Sequence, residues 1–390
     1  MTKHTLFALL GATLLASPAS GATLQFLVAD QSADAVIFAR DMNGDGDTND
    51  AGEVQTFFDE NNASGLALPT RNVFVLNQTS DGAVFLGDGT TDTVYRARDL
   101  NGNNTAQDAG EASVWFSADN ASGLTLNTPN GIATGGDGAI YIVEADTVGT
   151  PSGDFIYRTE DLNGDGDAND AGEATVWFDI NTVAPSVAPF EIQFDGDIAY
   201  LATTGGPTPE IFRIEDGNAD GTIDAGEVTS FVSGPSAPFA FGIAVGAGGD
   251  VLALDILNDE LRRLTDIDGS GLIDAPDENI RIWDAALAGA GSTFSLTSRD
   301  GDILVASNGG SSSPEEDAVF RLTDLDGNGD YLGAGETVSV FSLDQQGSLP
   351  IRARAAIFYD SVTAVPLPAG DLLLASGLVG LGCAVHRRRV

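Results

Sequence analysis

Apolar residues in this chain fall in short runs rich in Val, Ile, Phe and Tyr, and each run is bounded by Asp, Asn, Gly or Ser. Short runs of β-branched and aromatic residues between turn residues predict strands. The stretch 130–179, NGIATGGDGAIYIVEADTVGTPSGDFIYRTEDLNGDGDANDAGEATVWFD, shows the arrangement. It holds four extended pieces: Gly131–Thr134, Ala139–Glu144, Asp154–Arg158 and Ala174–Phe178. The first two meet at Asp137-Gly138, a hairpin signal because both residues tolerate positive φ. The same dipeptide recurs at Asp81-Gly82, Asp195-Gly196 and Asp300-Gly301. Between the third and fourth pieces lies an acidic string. Such strings start at Asp41, Asp99, Asp161, Asp216, Asp266 and Asp324, so the unit repeats six times.

Four short antiparallel strands per unit at this period predict an all-β fold, a six-bladed β-propeller. The chain ends predict how the ring closes. After residue 22 the chain begins on a second-strand pattern, TLQFLVAD, and after the last unit one strand is left over, Ala353–Tyr359. Together they make one blade, so the C-terminal strand is expected to pair beside the N-terminal ones and remove an open edge. Each fourth strand ends in an apolar pair: Phe57-Phe58, Trp115-Phe116, Trp177-Phe178, Phe231-Val232, Ile282-Trp283 and Val340-Phe341. These pairs read as packing between blades. The repeat count and strand pattern are similar to six-bladed propellers of the NHL or SMP-30 type.

The acidic strings carry the candidate chemistry. An EF-hand loop places oxygen ligands at positions 1, 3, 5, 7 and 9, glycine at 6 and a bidentate Glu at 12. The string at 216–227 resembles such a loop residue for residue: Asp216, Asn218, Asp220 and Glu227 fall at 1, 3, 5 and 12, with Gly221 at 6. The string at 41 offers Asp41, Asn43, Asp45 and Asp47, and that at 161 offers Asp161, Asn163, Asp165 and Asp167. Their Glu53 and Glu173 come one position late, at 13. Either the loop bulges by one residue, or Asp50 and Asp170 replace the late ligand; spacing leaves both open. The string at 324 offers Asp324, Asp326, Asn328 and Glu336, and that at 266 offers Asp266, Asp268 and Asp277 with Ser270 at position 5. The string at 99 offers Asp99, Asn101, Asn103 and Glu111, with Asn104 in place of the glycine. Asparagine tolerates the left-handed conformation needed there. Strands flank every string, so these are loops inside blades and not helix–loop–helix EF-hands. An arginine stands three residues before five of them (Arg96, Arg158, Arg213, Arg263, Arg321), and Arg40 is its displaced counterpart in the first.

Composition narrows the choice of ion. The formal net charge is −41, which excludes a nucleic-acid partner, since that needs a basic face. Lys3, His4, Cys383 and His386 all lie in the end segments, leaving 23–364 without Lys, His or Cys. His-based triads, thiol nucleophiles and ordinary zinc sites are thereby excluded from that stretch. A metal held there is a hard one on oxygen ligands, and calcium, in several copies, is the expected cofactor.

The two ends read as addresses. Residues 1–22 have a basic start, an apolar run from Leu6 to Leu15 and small residues after it, the pattern of a secretory signal peptide. The propeller is expected over 23–360, a linker over 361–365 and a tail over 366–390. In the tail an apolar run of membrane-spanning length precedes Arg387, Arg388 and Arg389. Val365-Pro366-Leu367-Pro368-Ala369, the apolar run and the arginines together resemble the VPLPA variety of the PEP-type C-terminal sorting signal. That resemblance implies a C-terminal transmembrane helix, recognition by an exosortase-type protease, and an exported protein that passes from a membrane-anchored intermediate to the cell surface or extracellular matrix.

Two functions are expected from these features. The first is a calcium-binding propeller with a binding or scaffold role at the surface, its ligand unspecified by sequence. The alternative is a metal-dependent hydrolase of SMP-30 or gluconolactonase type working in the propeller channel. For that, Asn130, Glu191 and Asn72 fall near the inner strands, with Arg352 and Arg354 on the closing strand.

Overall fold

The computed structural model describes residues 23–67, 73–145, 153–185, 187–205, 209–234, 237–246, 248–308, 317–342 and 352–361. The expected signal peptide over 1–22, Asn72 and the expected sorting tail over 366–390 lie outside them. Among the described residues no helix is long and apolar enough to cross a membrane.

The strands follow the repeat. The first three are β1 (Gln25–Asp30), β2 (Ala35–Arg40) and β3 (Val54–Asp59). The second blade holds β4 (Val73–Gln78), β5 (Val84–Asp88), β6 (Thr93–Ala97) and β7 (Ala112–Ser117), and the third β8 (Pro129–Thr134), β9 (Ile140–Glu144), β10 (Phe155–Thr159) and β11 (Ala174–Asp179). The fourth holds β12 (Val187–Asp195), β13 (Ile198–Gly205), β14 (Glu210–Ile214) and β15 (Val228–Ser233), and the fifth β16 (Ala240–Val245), β17 (Val251–Asp255), β18 (Glu260–Leu264) and β19 (Asn279–Asp284). The sixth holds β20 (Ser292–Arg299), β21 (Asp302–Asn308), β22 (Ala318–Thr323) and β23 (Thr337–Ser342). The last strand, β24 (Ala353–Phe358), returns to the first blade, whose order is β24-β1-β2-β3. Its register against β1 runs from Phe26↔Phe358 to Asp30↔Ala353. The chain is thus an all-β six-bladed propeller closed as expected.

The innermost strands β24, β4, β8, β12, β16 and β20 neighbour one another in a continuous ring around a central channel. Glycine permits the closest approach. A Cβ on Gly131 of β8 would stand 2.8 Å from the Phe190 carbonyl oxygen of β12.

The core is divided among the six junctions between blades. Phe57 and Phe58 pack with Leu76, Val84 and Tyr95 of the second blade. Trp115 and Phe116 pack with Ile132, Ile142 and Tyr157 of the third, and Trp177 and Phe178 with Leu201 and Phe212 of the fourth. Phe231, Ile282 and Phe341 play the same part at the remaining three junctions, the last against Phe26 and Phe358. The apolar pairs at the ends of the fourth strands are therefore interblade packing.

Each of these outer strands carries a β-bulge, and the extra residue is the first of the pair: Phe57, Trp115, Trp177, Phe231, Ile282 or Val340. A bulged residue has no ladder partner, which frees its carbonyl for another use.

Candidate metal centres

Each acidic string joins the third and fourth strands of a blade, so all six loops emerge on one face of the disc. Strands alternate in direction within a blade, and this is the face where the innermost strands end.

The loops share a side-chain scaffold. In the first, Asp41 accepts the N–H groups of Gly44 at 2.6 Å and Gly46 at 2.9 Å. Asn43 accepts from Asp45 N–H at 2.8 Å, and Asp47 from Asn49 N–H at 2.8 Å. Asp161 binds Gly164 and Gly166 in the same way, Asp324 binds Gly327 and Gly329, and Asp99 binds Gly102 and Asn104. Position 6 needs positive φ. Gly46 has φ of 100°, and Asn104 takes 61° as its substitute.

The last acid closes each loop from inside. Glu53, buried, accepts Met42 N–H at 2.8 Å and Asp50 N–H at 3.1 Å. Glu111, Glu173 and Glu336 make the equivalent pair of bonds, each from position 13. Position 13 is thus an accommodated extra residue. Asp50 and Asp170, though exposed, are tied across the loop, where Asn43 and Asn163 donate to them at 2.5 and 2.6 Å. Asp108, absent from the expected set, does the same in the loop at 99, where Asn101 donates to it at 2.6 Å. Its alignment with Asp50 and Asp170 was the available signal.

One expectation is corrected. Asp277, the candidate ligand at position 12 of the loop at 266, is exposed. Its neighbour Glu278 is buried and accepts from Ile267, Asp274 and Ala275 N–H at 3.0 Å each. The EF-hand count of twelve pointed to the wrong residue because five of the six loops have their glutamate at thirteen. Isothermal titration should therefore separate the two acids. Glu278→Gln is expected to lose one calcium site, and Asp277→Asn to leave stoichiometry and affinity unchanged.

Carboxylates converge tightly in three loops. Asp165, Asp167 and Glu173; Asp266, Asp268 and Glu278; and Asp324, Asp326 and Glu336 each bring ligand oxygens within 4.8 Å of one another. The loop at 216, closest to the EF-hand spacing, is not among these sets. Its Glu227 reaches Asn218 and Asp224 N–H instead, and Asp220 is held by the N–H and hydroxyl of Thr222. It also has Ala219 at a φ of 57°, where the other five loops have glycine. Electrostatics reflect the crowding. Desolvation, followed by repulsion from Asp45, Glu53 and Asp47, raises the Asp50 carboxyl above its ordinary range. Backbone N–H groups, led by Gly329 and by Ala275, hold Asp324 and Glu278 below theirs. An all-oxygen, multiply anionic donor set of this kind fits a hard divalent cation.

The loops also bind the blades together. The N–H at position 8 of every loop donates to the preceding blade: Thr48 to Val340, Ala106 to Phe57, Ala168 to Trp115, Ile223 to Trp177, Ile273 to Phe231 and Tyr331 to Ile282, all at 2.7–2.8 Å. Each acceptor is the bulged residue of an outer strand, so bulge and loop are two halves of one staple. Asn49 and Asn169, at position 9, add side-chain bonds to Ser342 and Ser117 N–H at 3.0 Å. Three of the arginines before the loops bind outside their own loop. Arg158 pairs with Asp137 of the adjacent hairpin turn at 2.8 Å, Arg321 pairs likewise with Asp302, and Arg263 donates to the Gly329 carbonyl in the next blade's loop at 2.8 Å.

No protein-family model matches the sequence, and no curated protein matches it. Solved structures share the fold. A chain of a nidogen/laminin complex aligns with a TM-score of 0.55 at 15% identity, covering 87% of this chain and 100% of that one. A calcium-binding protein, regucalcin from Agrobacterium tumefaciens, aligns with a TM-score of 0.44 at 15% identity, covering 66% of this chain and 72% of its own. Virginiamycin B lyase from Staphylococcus aureus gives 0.42 at 17% identity, covering 78% and 82%. At 15% identity the match to the nidogen/laminin chain is a likeness of fold alone.

The channel has its own ring of bulges. In the innermost strands the extra residues are Phe74, Asn130, Phe190, Phe241, Phe294 and Arg354, all near the strand starts. They form a collar on the face opposite the acidic loops. The channel cavity measures about 220 Å³, and its acidic lining residues are Glu191 near the collar and Asp360 toward the other end. Asp360 pairs with Arg299 at 2.8 Å. Glu191 keeps an edge open to the channel but is enclosed by protein, and desolvation pushes its carboxyl up to about 8. Gln193 donates to it at 3.3 Å. Arg352 stands just before β24, where its N–H donates to Asp30 at 3.0 Å.

Proposed function

We propose that this protein is an exported, calcium-binding propeller that works at the cell surface or in extracellular matrix as a binding or scaffold module. The observation that carries the calcium role is the staple: six oxygen-rich loops each donate a backbone N–H across a blade junction. An ion drawing the loop carboxylates together fixes the position of that N–H, so metal binding and ring rigidity are one equilibrium. Calcium suits loops of this size, whereas magnesium demands a tighter octahedron and keeps its waters.

The sorting tail supports the location. Under this reading the signal peptide exports the chain, the apolar run halts it with Arg387–Arg389 inside, and an exosortase-type protease releases the propeller. The five-residue linker 361–365 would otherwise hold the disc almost against the bilayer. Intact-mass measurement of surface and matrix fractions tests the route. The expected mass lacks the sequence HRRRV, and Pro366→Ala with Pro368→Ala should leave insertion intact while processing falls. A wild-type surface protein that retains HRRRV would make the tail a permanent anchor.

A further inference from the structure

The collar end of the channel combines features that the calcium reading does not use. Four phenyl rings, Phe74, Phe190, Phe241 and Phe294, are left half-buried around a cavity, and Phe190 stacks on Phe241 with centroids 4.2 Å apart. The Arg354 guanidinium lies over the Phe294 ring at 4.2 Å and the Phe74 ring at 5.0 Å. Among the described residues it has no carboxylate partner, although Arg158 and Arg321 have theirs in a chain of net charge −41. With two phenyl rings against its guanidinium, its N–H groups are what remains to offer, and that fork matches a carboxylate.

We propose that this end of the channel binds a small organic carboxylate with an apolar ring, the carboxylate on Arg354 and the ring against Phe190, Phe241 and Phe294. Size fits: the channel cavity that this end opens into is about 220 Å³, and a cavity of ~150 Å³ accommodates benzene. Sign fits as well. An aromatic cage open to a cationic ligand leaves the seat between its rings vacant, whereas here Arg354 fills it. Glu191, three blades away and so directly across the ring, offers a protonated carboxyl at neutral pH because burial raises it to about 8. It therefore does not repel an anion and can donate to one. The site is on the opposite face from the acidic loops and does not depend on them being metal centres.

The test is ligand-observed ¹⁹F NMR with 4-fluorobenzoate on the full-length protein in calcium. Saturable binding is expected, competed by benzoate and about tenfold or more less well by benzyl alcohol or acetate, which lack the charge or the ring. Arg354→Met and, separately, Phe241→Ala should each weaken binding about tenfold, with circular dichroism and the cooperativity of the thermal melt reporting whether the variant folds. The wild-type series stands even if a variant does not fold. Absence of binding, a preference for benzylamine over benzoate, or undiminished binding by folded Arg354→Met would each overturn the proposal.

Discussion

Transferred from millimolar calcium into chelator, the protein should melt at a much lower temperature. A ligand that binds only the native state adds about 2.7 kcal/mol per site at a hundredfold excess over Kd. The three loops whose carboxylates already converge within 4.8 Å would contribute about 8 kcal/mol together. For a chain of this size that is on the order of 15 °C in melting temperature, at about 2 °C per kcal/mol. The effect should be cooperative around the ring, because each loop staples two blades. Its pH dependence has a defined sign. Asp50 has a raised folded pKa, so its contribution is present at low pH and is lost as pH rises through that pKa. Asp324 and Glu278 are depressed, so theirs is full at neutral pH and is lost as pH falls through the folded values. Calcium and protons compete for the same oxygens, and the calcium increment should shrink as pH drops into the carboxylate range, about 4. Differential scanning calorimetry with calcium, magnesium and chelator measures all of this. Equal midpoints in calcium and chelator, together with no heat on calcium titration, would remove the calcium reading.

Truncation after Ser348 should cost more than the loss of any one loop. It deletes β24, and with it Ala355 and Tyr359 from the junction between blades one and two. The junction between six and one loses Ala353, Ala356 and Phe358. Two core clusters are opened at once, and β1 loses a ladder that runs from Phe26 to Asp30. Burying a large apolar side chain is worth roughly 1.5–3 kcal/mol, and whole domains are stable by about 5–15 kcal/mol. Losing Phe358, Tyr359 and the ladder therefore removes a large share of the total, and the expected product is aggregated or non-cooperative in urea unfolding. The control is truncation after Ser361, which removes the tail and keeps β24. Asp216→Ala with Glu227→Ala, by contrast, should leave a closed ring with one loop altered. A Ser348 product that unfolds like the Ser361 product would contradict velcro-type closure.

The sequence by itself determined the blade count, the closing strand and the location of the oxygen-rich loops. Local rules write these features: Asp-Gly turns set hairpins, apolar runs set strands, and clustered Asp and Asn with glycine between them set the loop backbone. Position 6 was open to reasoning even where glycine was missing, since Asn104 adopts the left-handed conformation there. Loop closure was legible only by aligning the repeats, since Glu278 shares position 13 with Glu53, Glu111, Glu173 and Glu336, whereas the EF-hand count of twelve falls on its exposed neighbour Asp277. The apolar pairs announced interblade packing, but not that Phe57, Trp115 and their counterparts are bulged and hand a carbonyl to the next loop. Nor could any local rule bring Phe74, Phe190, Phe241, Phe294 and Arg354 to one collar, for they stand 280 residues apart along the chain at the extremes. A bulge is a register difference between two strands, and a collar is a meeting of six. Both are relations between distant segments, which only the closed ring of blades decides.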